Sequence, residues 1–382
     1  MNIIIFTYSI TRQAGGVFNA VRDMFTNKIF QEHHLTVFSY RDEYIDADLP
    51  SWRGLNIKLF KALPMLYSYK AKKTLLKENI DILHMEALWR YPQLLMTVWK
   101  KHKSAPIICS PHGMLDPYII KNQGKIKRLV SRVFFQKSLE AVDCYHALCQ
   151  KELEDIRAYG LKQPIAIIPN GIDIPDSNLS FTRVDNKKHL LYLGRLHKKK
   201  GIDLLLYAIA AIKKENANLL DNWQIDLVGW DHENCKKELE RIVSENNLED
   251  KVIFHGGLFG KEKQQMYANA NGYILPSHGE GLPMTVLEAW SWKLPVLMTP
   301  ECHIPEGYDA DAAIKINDNT ESVKEGLILF FQMSEEKRKA IGENGYNLVA
   351  KNFTWDASAK KMIQVYDWLL GKAPKPDFIY LK

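Results

Sequence analysis

The sequence predicts a doubly wound α/β fold in two domains, and three observations carry that prediction. Short β-branched runs alternate with helical periodicities along nearly the whole chain, as in parallel sheets covered by helices. The 382 residues exceed what a single hydrophobic core usually serves. Between residues 174 and 187 the apolar pattern lapses like an interdomain linker, and it then restarts with a new strand.

In the first half, residues 2–7 are an apolar run typical of a buried parallel strand. Gly15-Gly16 follows, and Val17, Ala20, Val21, Met24 and Phe25 then recur at helical spacing. Strand, glycine loop and helix open a Rossmann-like unit. The full G-x-G-x-x-G is missing, and the glycines equally suit a substrate approaching the backbone. Residues 34–39 and 56–60 are the next strands, 67–78 a helix, and 80–84 a strand ending in His84. A helix over 91–102 precedes the strand 106–110, which delivers Pro111-His112-Gly113 at its C-terminal end. Ligands bind outside the carboxyl ends of such strands. His84 is expected to be a packed structural histidine, while His112, in a polar loop, stays open between structure and function. Residues 121–139 form a basic amphipathic helix in which Lys121, Lys125, Lys127, Arg128, Arg132 and Lys137 interleave with apolar residues. Such a face can lie on anionic headgroups or simply cover a core. A strand at 144–147, a helix at 151–159 and a strand at 164–169 complete this half, before the turn Asn170-Gly-Ile-Asp173.

The second half repeats the plan. The strand 189–193 leads into Gly194-Arg195-Leu-His-Lys-Lys-Lys200-Gly201, a basic loop bounded by glycines, and a helix follows over 202–214. Strands at 223–228, 252–255, 272–275 and 294–298 alternate with helices at 233–246, 262–270 and from Pro283 onward. Two helices near 320–350 precede Asn352-Phe-Thr-Trp355, then a last helix over 356–370 and an extended tail.

Composition narrows the classes. Hydrophobic content of 46% and charged content of 25% belong to a soluble globular protein. Five cysteines with no C-x-x-C pair argue against a disulfide framework or structural zinc and suit a reducing cytosol. No basic segment precedes the first apolar run, so no signal peptide is expected. No stretch approaches the roughly 18 apolar residues of a spanning helix. The net charge of +6 is uneven: residues 1–175 hold 24 Lys/Arg against 16 Asp/Glu, and the remainder 27 against 29. A basic half beside a near-neutral one suits an anionic surface or substrate. With neither zinc-finger spacing nor RNP-like aromatics, nucleic acid is not favoured.

The chemistry concentrates in residues 276–290, where a buried strand ends in a glycine-bearing loop and a helix opens at Pro283. The amides of Met284, Thr285 and Val286 are expected to be free donors at a positive helix end, a seat for phosphate. Arg195 offers a planar fork and Lys200 a compact charge, complementary grips on a diphosphate. The Gly256-Gly257 turn reaches the same sheet edge. Glu288 can accept both hydroxyls of a ribose, leaving Glu280 to face whatever the diphosphate carries.

Gly194-Arg195 with Lys200-Gly201, then Pro276-Ser277, Glu280-Gly281-Leu282-Pro283 and Glu288, resembles glycosyltransferase family 4, with its GT-B fold of two Rossmann-like domains facing a central cleft. Pro169-Asn-Gly-Ile-Asp173, Gly15-Gly16 and Phe353-Trp355 also match, so the likeness covers nearly the whole chain. Pro111-His-Gly-Met-Leu-Asp-Pro117 further resembles bacterial members that build exopolysaccharide, O-antigen or lipopolysaccharide. The resemblance implies an acceptor-binding domain over 1–175, completed by the C-terminal segment 356–382, and a nucleotide-sugar-binding domain over 176–355. It implies retaining, metal-independent transfer of a sugar from a nucleotide-diphosphate donor, with UDP favoured, to an acceptor hydroxyl. No cofactor beyond that co-substrate is implied.

By position in the family pattern, Arg195 and Lys200 would hold the diphosphate, Glu288 the ribose, and Glu280 with the Gly281–Pro283 backbone the donor sugar. Gly194, Gly256, Met284 and Thr285 join the nucleotide site, Gly16 meets donor phosphate or acceptor, and His112 reaches the donor sugar. The acceptor is expected to be a glycan or lipid-linked glycan. The enzyme is expected to be cytoplasmic, with peripheral contact at an anionic membrane. A retaining glycosidase also uses two carboxylates but has no need of the phosphate grips. A nucleotide-sugar 2-epimerase, or a non-catalytic sugar-nucleotide binder, is the alternative that keeps the fold. Asp46-Ala-Asp48 and Asp309-Ala-Asp311 follow loop-like sequence and are not expected to hold a metal.

Overall fold

The computed structural model describes residues 1–122, 135–176, 181 and 185–381. The chain divides into two compact units, Met1–Gly171 with Trp355–Lys382, and Ile172–Thr354.

The first unit is built on seven parallel strands: β1 (Asn2–Phe6), β2 (His34–Tyr40), β3 (Asn56–Phe60), β4 (Ile82–Glu86), β5 (Ile107–Ser110), β6 (Cys144–Ala147) and β7 (Ile165–Ile167). They lie in the order β7-β6-β5-β4-β1-β2-β3, and the terminal strand Ile379–Tyr380 adds antiparallel beside β7. Side chains alternate across a strand. Ile3 and Ile5 of β1 therefore join one apolar layer with Met24, Phe25, Met362 and Tyr366, while Ile4 and Phe6 join the other with Leu75, Met96 and Trp99. The helix Trp355–Leu369 belongs to this unit: Ser358 donates to the Pro169 carbonyl at 2.7 Å, and Asn27 donates to Asp356 at 2.8 Å.

The second unit has six parallel strands, β8 (Lys188–Leu193), β9 (Trp223–Val228), β10 (Val252–Gly256), β11 (Gly272–Leu275), β12 (Val296–Met298) and β13 (Ala313–Lys315). Their order is β10-β9-β8-β11-β12-β13, so this sheet also reverses direction of growth once, between β8 and β11. In the first unit the reversal lies between β1 and β4. These switch points are where open α/β sheets leave a crevice for ligands. The central strands of the second unit are buried throughout, with Leu190, Leu191, Tyr192, Ile225 and Leu227 among helices that include Ile202–Asn216 and Thr320–Gln332.

Most elements match the sequence reading, with informative exceptions. The strand expected at 80–84 runs Ile82–Glu86, which moves its functional end two residues on. The tail expected to be extended contributes a sheet strand, and β13 had no counterpart in the reading. Of the basic helix expected over 121–139, residues 123–134, with Lys125, Lys127, Arg128 and Arg132, lie outside the described residues. Helices flank that gap at Pro117–Asn122 and Gln136–Glu140. Among the described residues no helix is long and apolar enough to cross a membrane. All five cysteines are buried free thiols.

Candidate functional site

At the switch point of the second unit, backbone meets backbone. Gly201 sits in the left-handed region at φ +64°, and a Cβ there would overlap the Pro276 carbonyl oxygen. A Cβ on Gly229 would overlap the Gly194 carbonyl in the same way. Glycine is the residue that permits such approach. Ser277 Oγ and the His278 amide both donate to the Lys199 carbonyl, each at 2.9 Å, and fasten the β11 loop to the β8 loop. The Gly194–Gly201 and Pro276–Pro283 loops are therefore one construction.

The charged side chains sit on this frame. Arg195 is exposed and has no side-chain partner among the described residues, while its carbonyl accepts from Tyr192 Oη at 2.8 Å. Lys200 Nζ donates to both oxygens of Glu280, at 2.7 and 2.8 Å, with the two side chains 17% and 11% exposed. The sequence reading gave these two residues separate tasks; the structure binds them to each other. Glu288 is likewise held, by Lys263 at 2.6 Å on one oxygen and by Tyr267 Oη at 2.7 Å on the other. A carboxylate has about four acceptor positions, so both acids keep capacity for a ligand hydroxyl.

The helix start needs a correction. The helix runs Met284–Ser291, with Pro283 as its N-cap, because Pro283 has an extended ψ of 95°. Its carbonyl accepts from the Val286 amide at 3.0 Å, so Val286 is not a free donor. Met284 and Thr285, in the first turn, retain theirs. The hydroxyl of Thr285 accepts from Tyr273 Oη at 2.6 Å. Gly281 is exposed and Leu282 half-buried against the core beside this start.

Sequence reasoning missed an aromatic pair nearby. Trp230, after β9, and Phe259, after β10, are 51% and 70% exposed, with planes 18° apart and centroids at 6.3 Å. They flank the turn at Gly256 (φ +71°) and Gly257, whose added Cβ would touch both. Exposed stacked aromatics at a sheet edge signal a planar ligand more than a core. Bulky residues on either side of glycines were the available signal.

A trio of His197, His232 and Glu233 has its ligand atoms within 4.8 Å of one another. His197 Nδ1 accepts the Lys199 amide at 3.0 Å, however, so in the neutral ring Nε2 carries the proton. That tautomer has no free lone pair for an ion. Of the Asp-x-Asp pairs, Asp48 is bound by Arg12.

In the first unit Gly15, at φ +58°, caps a helix that begins at Gly16, and a Cβ on Gly16 would meet nothing within 4 Å. His112, at φ +53°, lies in the left-handed region, as do Ala87 and Trp89 on the loop after β4. Non-glycine residues held there are rare and gather at functional sites. His112 Nε2 is 2.5 Å from Glu86 Oε2, in a pair almost wholly removed from solvent. Burial works against the Glu86 carboxylate, yet facing His84 and the hydrogen bond from His112 hold its pKa down at about 2. Burial lowers the pKa of His84, while for His112 burial is opposed and outweighed by Glu86, which raises it. His84 is structural, as expected: its nitrogens meet Tyr366 Oη at 2.7 Å and Ser110 Oγ at 2.8 Å. Glu152, another buried acid, accepts from the amides of Gly113 and Leu148 and ties down the His112 loop.

Comparison with known families follows the same division. Residues 14–175 match the model described as Glycosyltransferase Family 4, and residues 176–348 the one described as Glycosyl transferases group 1. The chain belongs to glycosyltransferase family 4. The α-monoglucosyldiacylglycerol synthase of Streptococcus pneumoniae is 23% identical to this glycosyltransferase, over 92% of this chain and 83% of the relative. An Escherichia coli UDP-Gal:α-D-GlcNAc-diphosphoundecaprenol α-1,3-galactosyltransferase is 24% identical over 82% and 83%. Among solved structures, Anabaena HepE in complex with UDP and glucose superposes with a TM-score of 0.73 at 16% identity, covering 96% of this chain and 100% of that one. The glycosyltransferase thus has the GT-B fold, in two parallel-sheet Rossmann-like units.

Proposed function

We propose that this glycosyltransferase moves a sugar from a UDP-sugar to a hydroxyl of a glycan or lipid-linked glycan, with retention at the anomeric carbon and without a metal. The observation that carries the reading is the exposed Arg195 guanidinium, without a partner among the described residues, on the same loop system as the Met284 and Thr285 amides, which are unpaired among those residues too. Breaking a sugar–phosphate bond builds negative charge on the leaving diphosphate. Fixed donors aimed at that charge are the largest single source of rate. Arg195 supplies a bidentate fork, the helix start two amides, and Lys200 a further cation once donor contacts replace part of its bond to Glu280.

Glu280, already oriented by Lys200, would accept from a donor-sugar hydroxyl, and Glu288 from the ribose. Trp230 and Phe259 offer a platform for the base beside Gly256. His112 would meet the donor sugar and Gly16 the donor phosphate or acceptor. UDP is supported by the complex of the Anabaena neighbour with UDP, and a lipid-linked acceptor by the diphosphoundecaprenol in the E. coli relative's name. The basic first 175 residues suit peripheral contact with the cytoplasmic face of an anionic membrane.

Labelled UDP-sugars incubated with candidate acceptors test this directly. A sugar adduct with the donor's anomeric configuration, formed equally with chelator present, is the expected product. Free sugar without adduct would mean a hydrolase, and an isomerised donor an epimerase; either overturns the reading.

A further inference from the structure

Glu86 was not singled out by any sequence pattern, yet it is a buried carboxylate of the first unit. It ends β4, the strand beside the switch point, and is 5% exposed. A lone buried carboxylate would be expelled or neutralised. Here His112 Nε2 lies 2.5 Å from one oxygen and His84 Nε2 3.3 Å from the other. His84 is already saturated by Tyr366 and Ser110, and Ser110 also meets His146 Nδ1 at 2.9 Å. His112 differs from them. Its Nδ1 has no partner among the described residues, and the ring lines a narrow crevice with Glu86, His84, His146 and Asn170. Its backbone is held in the left-handed region, which a β-carbon disfavours. A well-packed apolar pair would be at least as stable as this ion pair, so the arrangement calls for a use.

We propose that Glu86 is a positioning residue: it clamps the His112 ring through Nε2 and presents Nδ1–H of an imidazolium, as a fixed donor, to an oxygen of the bound nucleotide sugar. The proposal rests on the reading that His112 faces the donor. With Nε2 committed to the carboxylate, the ring cannot rotate to offer its other edge. An uncharged ring in this pose would turn a lone pair toward the donor's oxygens, and the protonated ring turns an N–H bond. Charge builds on the departing diphosphate as the bond breaks, and a ring held charged suits stabilising it.

The other titratable groups around the pair do not compete for this task. Burial lowers the pKa of both His84 and His146, the latter to about 4. Burial also raises Cys109 and Tyr366 out of the working range. Glu152, on the helix Gln150–Ala158, is raised by burial and spends its oxygens on two amides; its remaining charge adds to that of Glu86. Asp155, on the same helix, is likewise raised and is bonded to Lys151.

The test compares wild type with Glu86→Gln and Glu86→Asp. A glutamine carbonyl can still accept from Nε2, so the ring stays placed while its charge loses support. Imidazole ¹⁵N resonances should show His112 titrating above the ordinary imidazole value in the wild type and lower in E86Q. Turnover of E86Q should fall about tenfold at pH 8 and recover toward pH 6, with UDP affinity unchanged and partial rescue in E86D. Equal His112 titration in wild type and E86Q overturns the proposal, as does an E86Q turnover loss that is flat with pH. A shifted titration with turnover unchanged would leave the clamp standing and remove His112 from the donor site. If the buried amide prevents folding, the wild-type titration decides: a His112 that titrates at or below the ordinary imidazole value refutes the clamp.

Discussion

The two sheets share the order of their first six strands but load their switch points differently. In the second unit the edge is open: Arg195 is exposed, Lys200 and Glu280 are partly so, and two glycines, Gly201 and Gly229, let loops touch through their backbones. In the first unit the corresponding edge is closed over a buried group of Glu86, His84, His112 and His146, packed against Tyr366. An open edge can exchange water for a polyanion at small desolvation cost. A buried ion pair holds one geometry and resists change. The first arrangement leaves its charges open to a ligand, and the second holds its side chains in one pose. Substitutions should therefore act differently in the two units.

Glycine replacements should separate them most. Gly201→Ala places a Cβ on the Pro276 carbonyl and strains a left-handed residue. It should destabilise the second unit by about 3 kcal/mol or more, seen as an early calorimetric transition. Gly16→Ala, at a helix start with open space, should leave stability within about 0.5 kcal/mol or raise it. If Gly16→Ala also leaves turnover untouched, no ligand passes close to that backbone.

Arg195→Ala comes next. Losing a charged fork on phosphate costs about 2 kcal/mol, or roughly 30-fold in affinity. The thermal shift produced by UDP should disappear, because a ligand stabilises by mass action. His112→Ala should leave UDP affinity within about threefold and act on turnover. A full UDP shift in Arg195→Ala would dismantle the assigned cradle.

These contrasts explain what the sequence could and could not disclose. Apolar alternation and the β-branched runs gave both sheets, because parallel strands buried on two faces leave a strong pattern. Gly194, Arg195, Lys200, Glu280 and Glu288 could be singled out because they stand in short local motifs. The bonds Lys200–Glu280 and Lys263–Glu288 were not, since they join residues 80 and 25 apart that meet only through the fold. Glu86 was hidden by a two-residue error at the end of β4, which left it outside the strand. Pro283 was placed one position too far in: proline suits both N-cap and first turn, and only its ψ tells them apart.

A buried histidine–carboxylate group in the second unit offers a milder, pH-dependent contrast. His189 Nδ1 meets Asp226 at 2.6 Å, and His255 and Gln224 also bond that carboxylate. The bond to Asp226 raises His189 despite burial, while burial opposes and those bonds depress Asp226. The His189 contribution is whole below its ordinary value of about 6.5 and is lost as pH rises through the folded value. The Asp226 contribution is present above about 3.9 and fades as pH falls. Stability of the second unit should therefore peak between about pH 4 and 6.5, and Asp226→Asn should flatten the profile in urea melts.

The smallest effect should come from the aromatic pair. Trp230 and Phe259 leave half or more of their area in solvent, so truncation removes little packing and should move the melting temperature by no more than a degree or two. If a base lies on this platform, Trp230→Ala forfeits about 1 kcal/mol of stacking, near fivefold in UDP affinity. The loss should be absent for inorganic diphosphate, which Arg195 and the helix start would bind alone. Equal losses for UDP and diphosphate would mean that Trp230 shapes the loop after β9, and the base must then be sought elsewhere on the edge. A loss confined to UDP would place the base beside Gly256 and divide the open edge into a charged half and an aromatic half, a division the buried group around Glu86 does not have.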